Sequence, residues 1–200
     1  VGAGPFHSQT NEAWFTHTPG LKVVYPAFPS DAKGLLAASI EDPNPVMFFE
    51  HKALYRSISQ DVPDDYYTLP FGKASLITEG DDVTIVSYGQ GVHWALAYLK
   101  DKNISADLID LRTLIPLDEA AILASVRKTG KAIILQEDCL FGGIASDIAA
   151  LITENCFETL DAPVVRVGSL NMPVPFAPSL EKGFLPVQRF AEKLEELLAY

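Results

Sequence analysis

Positive charge is scarce in this sequence. Fifteen lysines and arginines stand against 26 aspartates and glutamates, a formal net charge of −11 over 200 residues. Nonspecific nucleic-acid binding needs Lys and Arg to neutralise phosphates, so the balance argues against that class. An acidic chain suits a basic protein partner or simply serves solubility. Cysteine is nearly absent: Cys139 and Cys156 are the two present. They form no C-x-x-C and no histidines follow at ligand spacing, which excludes a four-ligand structural metal site. Both are expected to be reduced, in a cytoplasmic-type compartment. No apolar run approaches the ~20 residues of a membrane span, and no signal peptide is visible. Neither G-x-x-x-x-G-K-[ST] nor G-x-S-x-G occurs, which removes the P-loop and the nucleophile-elbow hydrolases.

The sequence also begins without methionine. Val1-Gly2-Ala3-Gly4-Pro5-Phe6-His7 is a glycine-punctuated loop that presents a histidine and then enters a helical stretch. Chain ends tend to fray, which makes this an unusual place for part of an active site. The expectation is that further sequence belongs upstream. With 48% hydrophobic and 20% charged residues, the chain is an ordinary globular one with a sizeable core, in one or two domains.

Two segments separate. Residues 1–68 read as loop, helix (10–18), strand (21–25), helix capped by Ser30 or Asp31, and a continuous apolar strand at 46–49. The prolines at 43 and 45 break the helix before that strand. This is a βαβ unit with no further strands of its own, and two strands do not make a stable sheet. A polar, acidic, proline-bearing linker follows at 57–70. Residues 69–200 alternate strand and helix: strands near 82–88, 105–111, 132–137 and 164–167. The helices expected between and after them end near Lys100, Lys128, Cys156 and Leu198. Asp118 is the expected cap of the second. Prolines break a long loop after the fourth strand. Alternation of this kind predicts a mostly parallel sheet covered by helices on both faces.

Few residues carry obvious chemistry. Gly89-Gln90-Gly91 starts a dinucleotide fingerprint, but Trp94 occupies its third glycine position. Gly142-Gly143 opens another helix, where a tight turn is the plainer reading. Of the four histidines, His17 ends a short helix and His93 reads as a surface or packed residue. Glu50 and His51 end a buried strand, where parallel α/β folds place functional side chains. An ion pair with Lys52 or Arg56 is the plain alternative. His7 has the most suggestive loop context.

Many short stretches then resemble one family. They are His-Ser-Gln (7–9), Thr-Pro-Gly-Leu-Lys-Val-Val (18–24), Asp-Ala-Lys-Gly-Leu-Leu (31–36), Phe-Phe-Glu-His-Lys (48–52) and Leu-Tyr-Arg (54–56). Asp-Leu-Arg-Thr-Leu-x-Pro-Leu-Asp (110–118), Gly-Gly-Ile-x-Ser-Asp (142–147) and Asp-Ala-Pro-Val-x-Arg-Val (161–167) match as well. Together they resemble the beta subunit, or beta half, of thiamine diphosphate-dependent 2-oxo acid dehydrogenases, closest to the branched-chain type. The resemblance implies the last βαβ part of a pyrimidine-binding domain at 1–68. It implies a transketolase C-terminal-like domain with a mostly parallel five-stranded sheet at 69–200.

The implied activity is oxidative decarboxylation of a branched-chain 2-oxo acid of the 3-methyl-2-oxobutanoate type, with acyl transfer to lipoamide. Pyruvate or acetoin dehydrogenase beta subunits, another transketolase-like synthase, and a non-catalytic docking module are the alternatives. His7 matches the family's active-site histidine, and imidazole moves protons near neutrality. Ser39, Asp42 and Asn44 match a potassium loop. Thiamine diphosphate and Mg2+ would be held mainly outside this chain, so the isolated chain is expected to be inactive. The implied partners are an alpha subunit or alpha half, a second beta subunit, and the dihydrolipoyl acyltransferase core. Asp147, Glu154 and the Tyr200 carboxylate are the candidate contacts for that core. The implied location is cytoplasmic in a bacterium or the mitochondrial matrix in a eukaryote.

Overall fold

A computed structural model describes residues 2–200. Its first part contains α1 (Gly4–His7), α2 (Glu12–Thr16), β1 (Lys22–Val24), α3 (Pro29–Glu41), β2 (Val46–Phe48) and α4 (Leu54–Ser57). After an extended stretch come β3 (Ser75–Thr78), β4 (Val83–Ser87), α5 (Gln90–Lys102), β5 (Ala106–Asp110) and β6 (Thr113–Ile115). The chain ends with α6 (Glu119–Thr129), β7 (Ala132–Cys139), α7 (Ala145–Cys156), a 3-10 turn, β8 (Val165–Ser169), α8 (Pro178–Phe184) and α9 (Val187–Leu198).

The larger sheet has five strands in the order β3-β5-β4-β7-β8. Its three pairings from β5 to β8 run parallel, and β3 joins the β5 edge antiparallel. This is the mostly parallel sheet expected from the alternation, with the five strands that the resemblance implies. β4 is buried along its whole length, as a strand covered on both faces must be. Successive side chains go to opposite sides. Ile85 and Ile133 meet Val92, Leu99, Phe190 and Leu194 from α5 and α9. Val86 and Ile134 meet Ile122, Val126, Ile148 and Ile152 from α6 and α7. The expected cap of α6 is present: the Asp118 carboxylate accepts the Ala121 N–H at 3.3 Å. The helix then ends at Gly130, whose φ of +69° suits a residue without Cβ.

The βαβ unit does have a third strand, and it comes from the other segment. β1 pairs parallel with β2 on one side and antiparallel with β6 on the other. The Tyr25 N–H also donates to the Arg112 carbonyl at 2.8 Å. Arg112 makes this joint possible by adopting φ +58°. Its guanidinium grips Asp31 through Nε at 2.9 Å and a second nitrogen at 2.8 Å. Asp31 therefore does not cap α3, and neither does Ser30: the helix starts at Pro29 with no side-chain cap bond. Beneath the joint lies Asp110, with no exposed surface. One of its oxygens accepts the Arg112 N–H at 3.1 Å. The other has no partner.

Other departures have local causes. β3 is too short to show a period, and α8 hides in a proline-rich stretch where Pro178 takes the first helical turn. The stretch between α4 and β3 is strapped across α3. Tyr67 donates to the Ser30 carbonyl at 2.7 Å, and the Leu69 N–H donates to the Gly34 carbonyl at 3.1 Å.

Burial, reinforced by Asp31, pushes the Asp110 carboxyl up to about 7. An ordinary aspartate titrates near ~3.9, so the folded chain holds this proton more tightly than the unfolded one. Its contribution to stability is full at acid pH and is lost as pH rises through about 7. Asp110→Asn should flatten the fall in urea midpoint between about pH 4 and 7. An unchanged slope would disprove this role for Asp110.

Candidate active site

The carboxyl ends of β4 and β7, and the turns after β1 and β2, face the segment around α1 and α2. Three adjoining cavities open there, and all three are lined by Gln9 and Thr10. Their volumes are about 230, 450 and 1090 Å³. Strand ends are where a parallel sheet places functional side chains. β7 contributes Glu137, Asp138 and Cys139 in succession, because its last residues run past the covering helices.

His7 is exposed at the mouth of the smallest cavity, with His51, Glu137, Glu50 and Lys52 around the same space. The loop that presents it is tied down locally. Ser8 donates its N–H to the Gly4 carbonyl and accepts the Ala3 N–H on Oγ, each at 3.0 Å. Among the described residues, no ion pair joins Glu50 or His51 to Lys52 or Arg56; His51 instead makes a longer-range contact, with Nε2 2.7 Å from a Glu137 oxygen. Its Nδ1 accepts the Ala53 N–H at 3.3 Å, which leaves Nε2 as the nitrogen that donates to Glu137. Glu50 turns away and accepts the Tyr55 hydroxyl at 2.8 Å. His93 is a packed residue, with Nε2 2.7 Å from the Ala27 carbonyl.

Beneath this pair lies a group that the sequence pattern did not single out. Glu12, on α2, is 1% exposed. One oxygen accepts the Tyr88 hydroxyl at 2.7 Å. The other is buried without a partner. Burial, then the neighbouring Asp138 charge, raises its carboxyl to about 7, against the pull of the Tyr88 bond. Burial also raises Asp138, although the Cys139 N–H and Thr10 donate to it. Tyr25 and Tyr88 are pushed well above the usual phenol range, chiefly by burial and then by the charge of Glu12. The signal in the sequence was faint: a lone acid at the start of a five-residue helix, and two acids at the end of an apolar run.

Ser39 lies in the last turn of α3, and Asp42 and Asn44 lie in the turn before β2, at the opposite end of that strand from His51. Their side chains are engaged elsewhere. The Ser39 hydroxyl donates to the Leu35 carbonyl at 2.7 Å. The Asp42 carboxylate accepts from Lys22 and from the Asn44 backbone and side-chain N–H groups. A potassium ion, as the resemblance implies, would rely on backbone carbonyls and the Asn44 amide oxygen. Among the described residues, no three His, Cys, Asp or Glu side chains converge to hold a metal ion. Asp147 and Glu154 are exposed on α7, seven residues and about two turns apart. Tyr200 follows α9, which packs on the other face of the sheet, so the three do not form one patch.

This architecture, two α/β units with a crevice at their strand ends, is that of the transketolases. The model of the transketolase C-terminal domain matches residues 72–189, and that of the transketolase pyrimidine-binding domain matches residues 2–57. The chain belongs to that family. It is 49% identical over 184 residues to the 2-oxoisovalerate dehydrogenase subunit beta of Bacillus subtilis (strain 168), covering 90% of this chain and 56% of that protein. It is 46% identical to the mitochondrial 2-oxoisovalerate dehydrogenase subunit beta 2 of Arabidopsis thaliana, covering 92% of this chain and 52% of that one. The beta subunit of the Bacillus subtilis (strain 168) acetoin:2,6-dichlorophenolindophenol oxidoreductase is also 49% identical, with 90% and 53% covered. A solved split-gene transketolase, an inactive beta4 tetramer, superimposes with a TM-score of 0.72 at 25% identity over 94% of this chain and 60% of that one. The chain spans about half the length of the curated relatives it matches.

The His51–Glu137 contact links the first part of the chain to the end of β7. A double-mutant cycle with His51→Ala and Glu137→Gln should show a coupling of about 1–3 kcal/mol in unfolding free energy. Additive single effects would mean the pair does not hold the two parts together.

Proposed function

We propose that this chain is part of the decarboxylating component of a 2-oxo acid dehydrogenase assembly, with units at 1–68 and 69–200. The reaction is oxidative decarboxylation of a branched-chain 2-oxo acid of the 3-methyl-2-oxobutanoate type, followed by acyl transfer to lipoamide. One observation carries this reading. The chain is 49% identical over 184 residues to a 2-oxoisovalerate dehydrogenase beta subunit, and its two candidate histidines, His7 and His51, line one strand-end cavity. The same identity to an acetoin-oxidising relative favours acetoin as the second substrate class to test. The partners proposed are an alpha subunit, a second beta subunit and the acyltransferase core. Asp147 and Glu154 lie on the exposed face offered to that core.

Thiamine diphosphate, where bound, supplies an electron sink for the electrons left when CO2 departs. The residues on this side suit its reacting end rather than its diphosphate. They are two imidazoles, and Asn11, whose buried amide oxygen lacks a partner and which lines the same cavity as His7. His7 is free to approach a substrate carboxylate or a lipoyl sulfur, and to give or take a proton there. The His51–Glu137 pair holds the wall opposite. Tyr25 and Phe49, stacked at 5.5 Å, form its apolar side.

The test is lipoamide acylation by the complete assembly on branched-chain 2-oxo acids, pyruvate and acetoin, with CO2 release followed for the 2-oxo acids and aldehyde release for acetoin. Branched-chain substrates should show the highest kcat/KM. His7→Ala should lower kcat by about 10²–10⁴-fold with an unchanged circular dichroism spectrum. Turnover of none of these substrates would refute the proposal, and a His7→Ala variant of full activity would remove His7 from it. Asp147→Lys and Glu154→Lys together should weaken binding of the acyltransferase core while leaving decarboxylation intact.

A further inference from the structure

We propose that Glu12 is a positioning residue: its buried carboxyl, anchored on the Tyr88 hydroxyl and walled by Tyr25, seats the His7–Asn11 loop on the strand ends. The catalytic part of this inference rests on the function proposed above. The geometric part stands alone. Glu12 is the buried residue of α2, and α2 follows the loop directly. The Tyr88 hydroxyl, 2.7 Å away, ties it to the end of β4. The rings of Tyr25 and Tyr88 lie 5.4 Å apart. From the end of β7 come Glu137 and Asp138, and both act on Glu12 by charge. His51, from the turn after β2, holds Glu137. Thr10, on Glu12's own segment, donates to Asp138. A carboxyl with one donor, one unpartnered oxygen and two acidic neighbours is best tolerated when it carries a proton.

The seating of the loop is therefore a one-proton equilibrium centred near neutrality. With the carboxyl at about 7, the neutral form holds α2 down at lower pH. Ionisation buries a charge that Asp138 and Glu137 repel, and α2 with its loop is released as pH rises. For such an equilibrium, protection falls by up to about tenfold per pH unit between the ordinary carboxyl value of 4.5 and the midpoint at about 7, and levels off above it.

Hydrogen exchange measures this in the complete assembly, on peptides covering residues 5–17, from about pH 5 to 8.5 with intrinsic rates corrected. The wild-type protein should lose up to about tenfold protection between about pH 5.5 and 6.5 and level off above the midpoint. Glu12→Gln, neutral at every pH, should keep its protection and flatten the change in kcat/KM over the same range. Tyr88→Phe, which removes the opposing hydrogen bond, should move the midpoint upward. A Glu12→Gln protein with the wild-type slope, or a Tyr88→Phe protein with an unmoved midpoint, would overturn the proposal. If the assembly turns over no 2-oxo acid, the functional reading fails and the exchange data still decide the role of Glu12.

Discussion

The joint between β6 and β1 is the constraint on which this structure depends. A two-stranded parallel ribbon is unstable alone, and here the missing neighbour arrives from a distant part of the chain. One residue, Arg112, serves the joint in three ways: its carbonyl bonds Tyr25, its N–H bonds Asp110, and its guanidinium holds Asp31 at the start of α3. The left-handed backbone at Arg112 is the cost of turning the chain out of one sheet and into the other. Because the joint fixes the two sheets, it also fixes the ends of β1, β2, β4 and β7 around one crevice.

The crevice has a two-level electrostatic design. At the rim are exposed His7 and the His51–Glu137 pair. Below them, Glu12 is packed against Tyr88 and Tyr25 and acted on by the Asp138 charge, with one carboxyl oxygen that no donor meets. Buried acids with raised pKa values gather at functional sites, because water is excluded there and protons move over short distances. Asp110 shows that a joint between units raises a carboxyl as effectively, so the shift alone does not mark a site.

Much of the fold was legible in the sequence. The apolar runs at 83–87 and 132–136 and the Asp118 cap give away the central strands and α6 by local pattern. The three-residue β6 was not legible, because its partner lies about ninety residues away and no local rule marks a strand of that length. Asp31 shows the same limit. Its position before a helix favours capping, yet a long-range guanidinium outcompetes the local bond. In the site, His7 and His51 were visible through loop and strand-end context. Glu12 was not, since its importance comes from Tyr88, 76 residues away. Sequence spacing records neighbours along the chain, and the deepest part of this site is made of neighbours across it.

The borrowed strand sets how the chain tolerates being divided. The strapped stretch between α4 and β3 carries the proline and polar composition of a linker, and a protease or a gene designer would cut there. Either product would then carry a defect. The first piece would expose the Val23–Val24 edge of β1 with its hydrogen-bonding groups unpaired, a template for aggregation. The second would keep β6 with nothing to pair against. The border between the two parts as they pack runs through the Arg112 joint, more than forty residues beyond the border that the composition advertises.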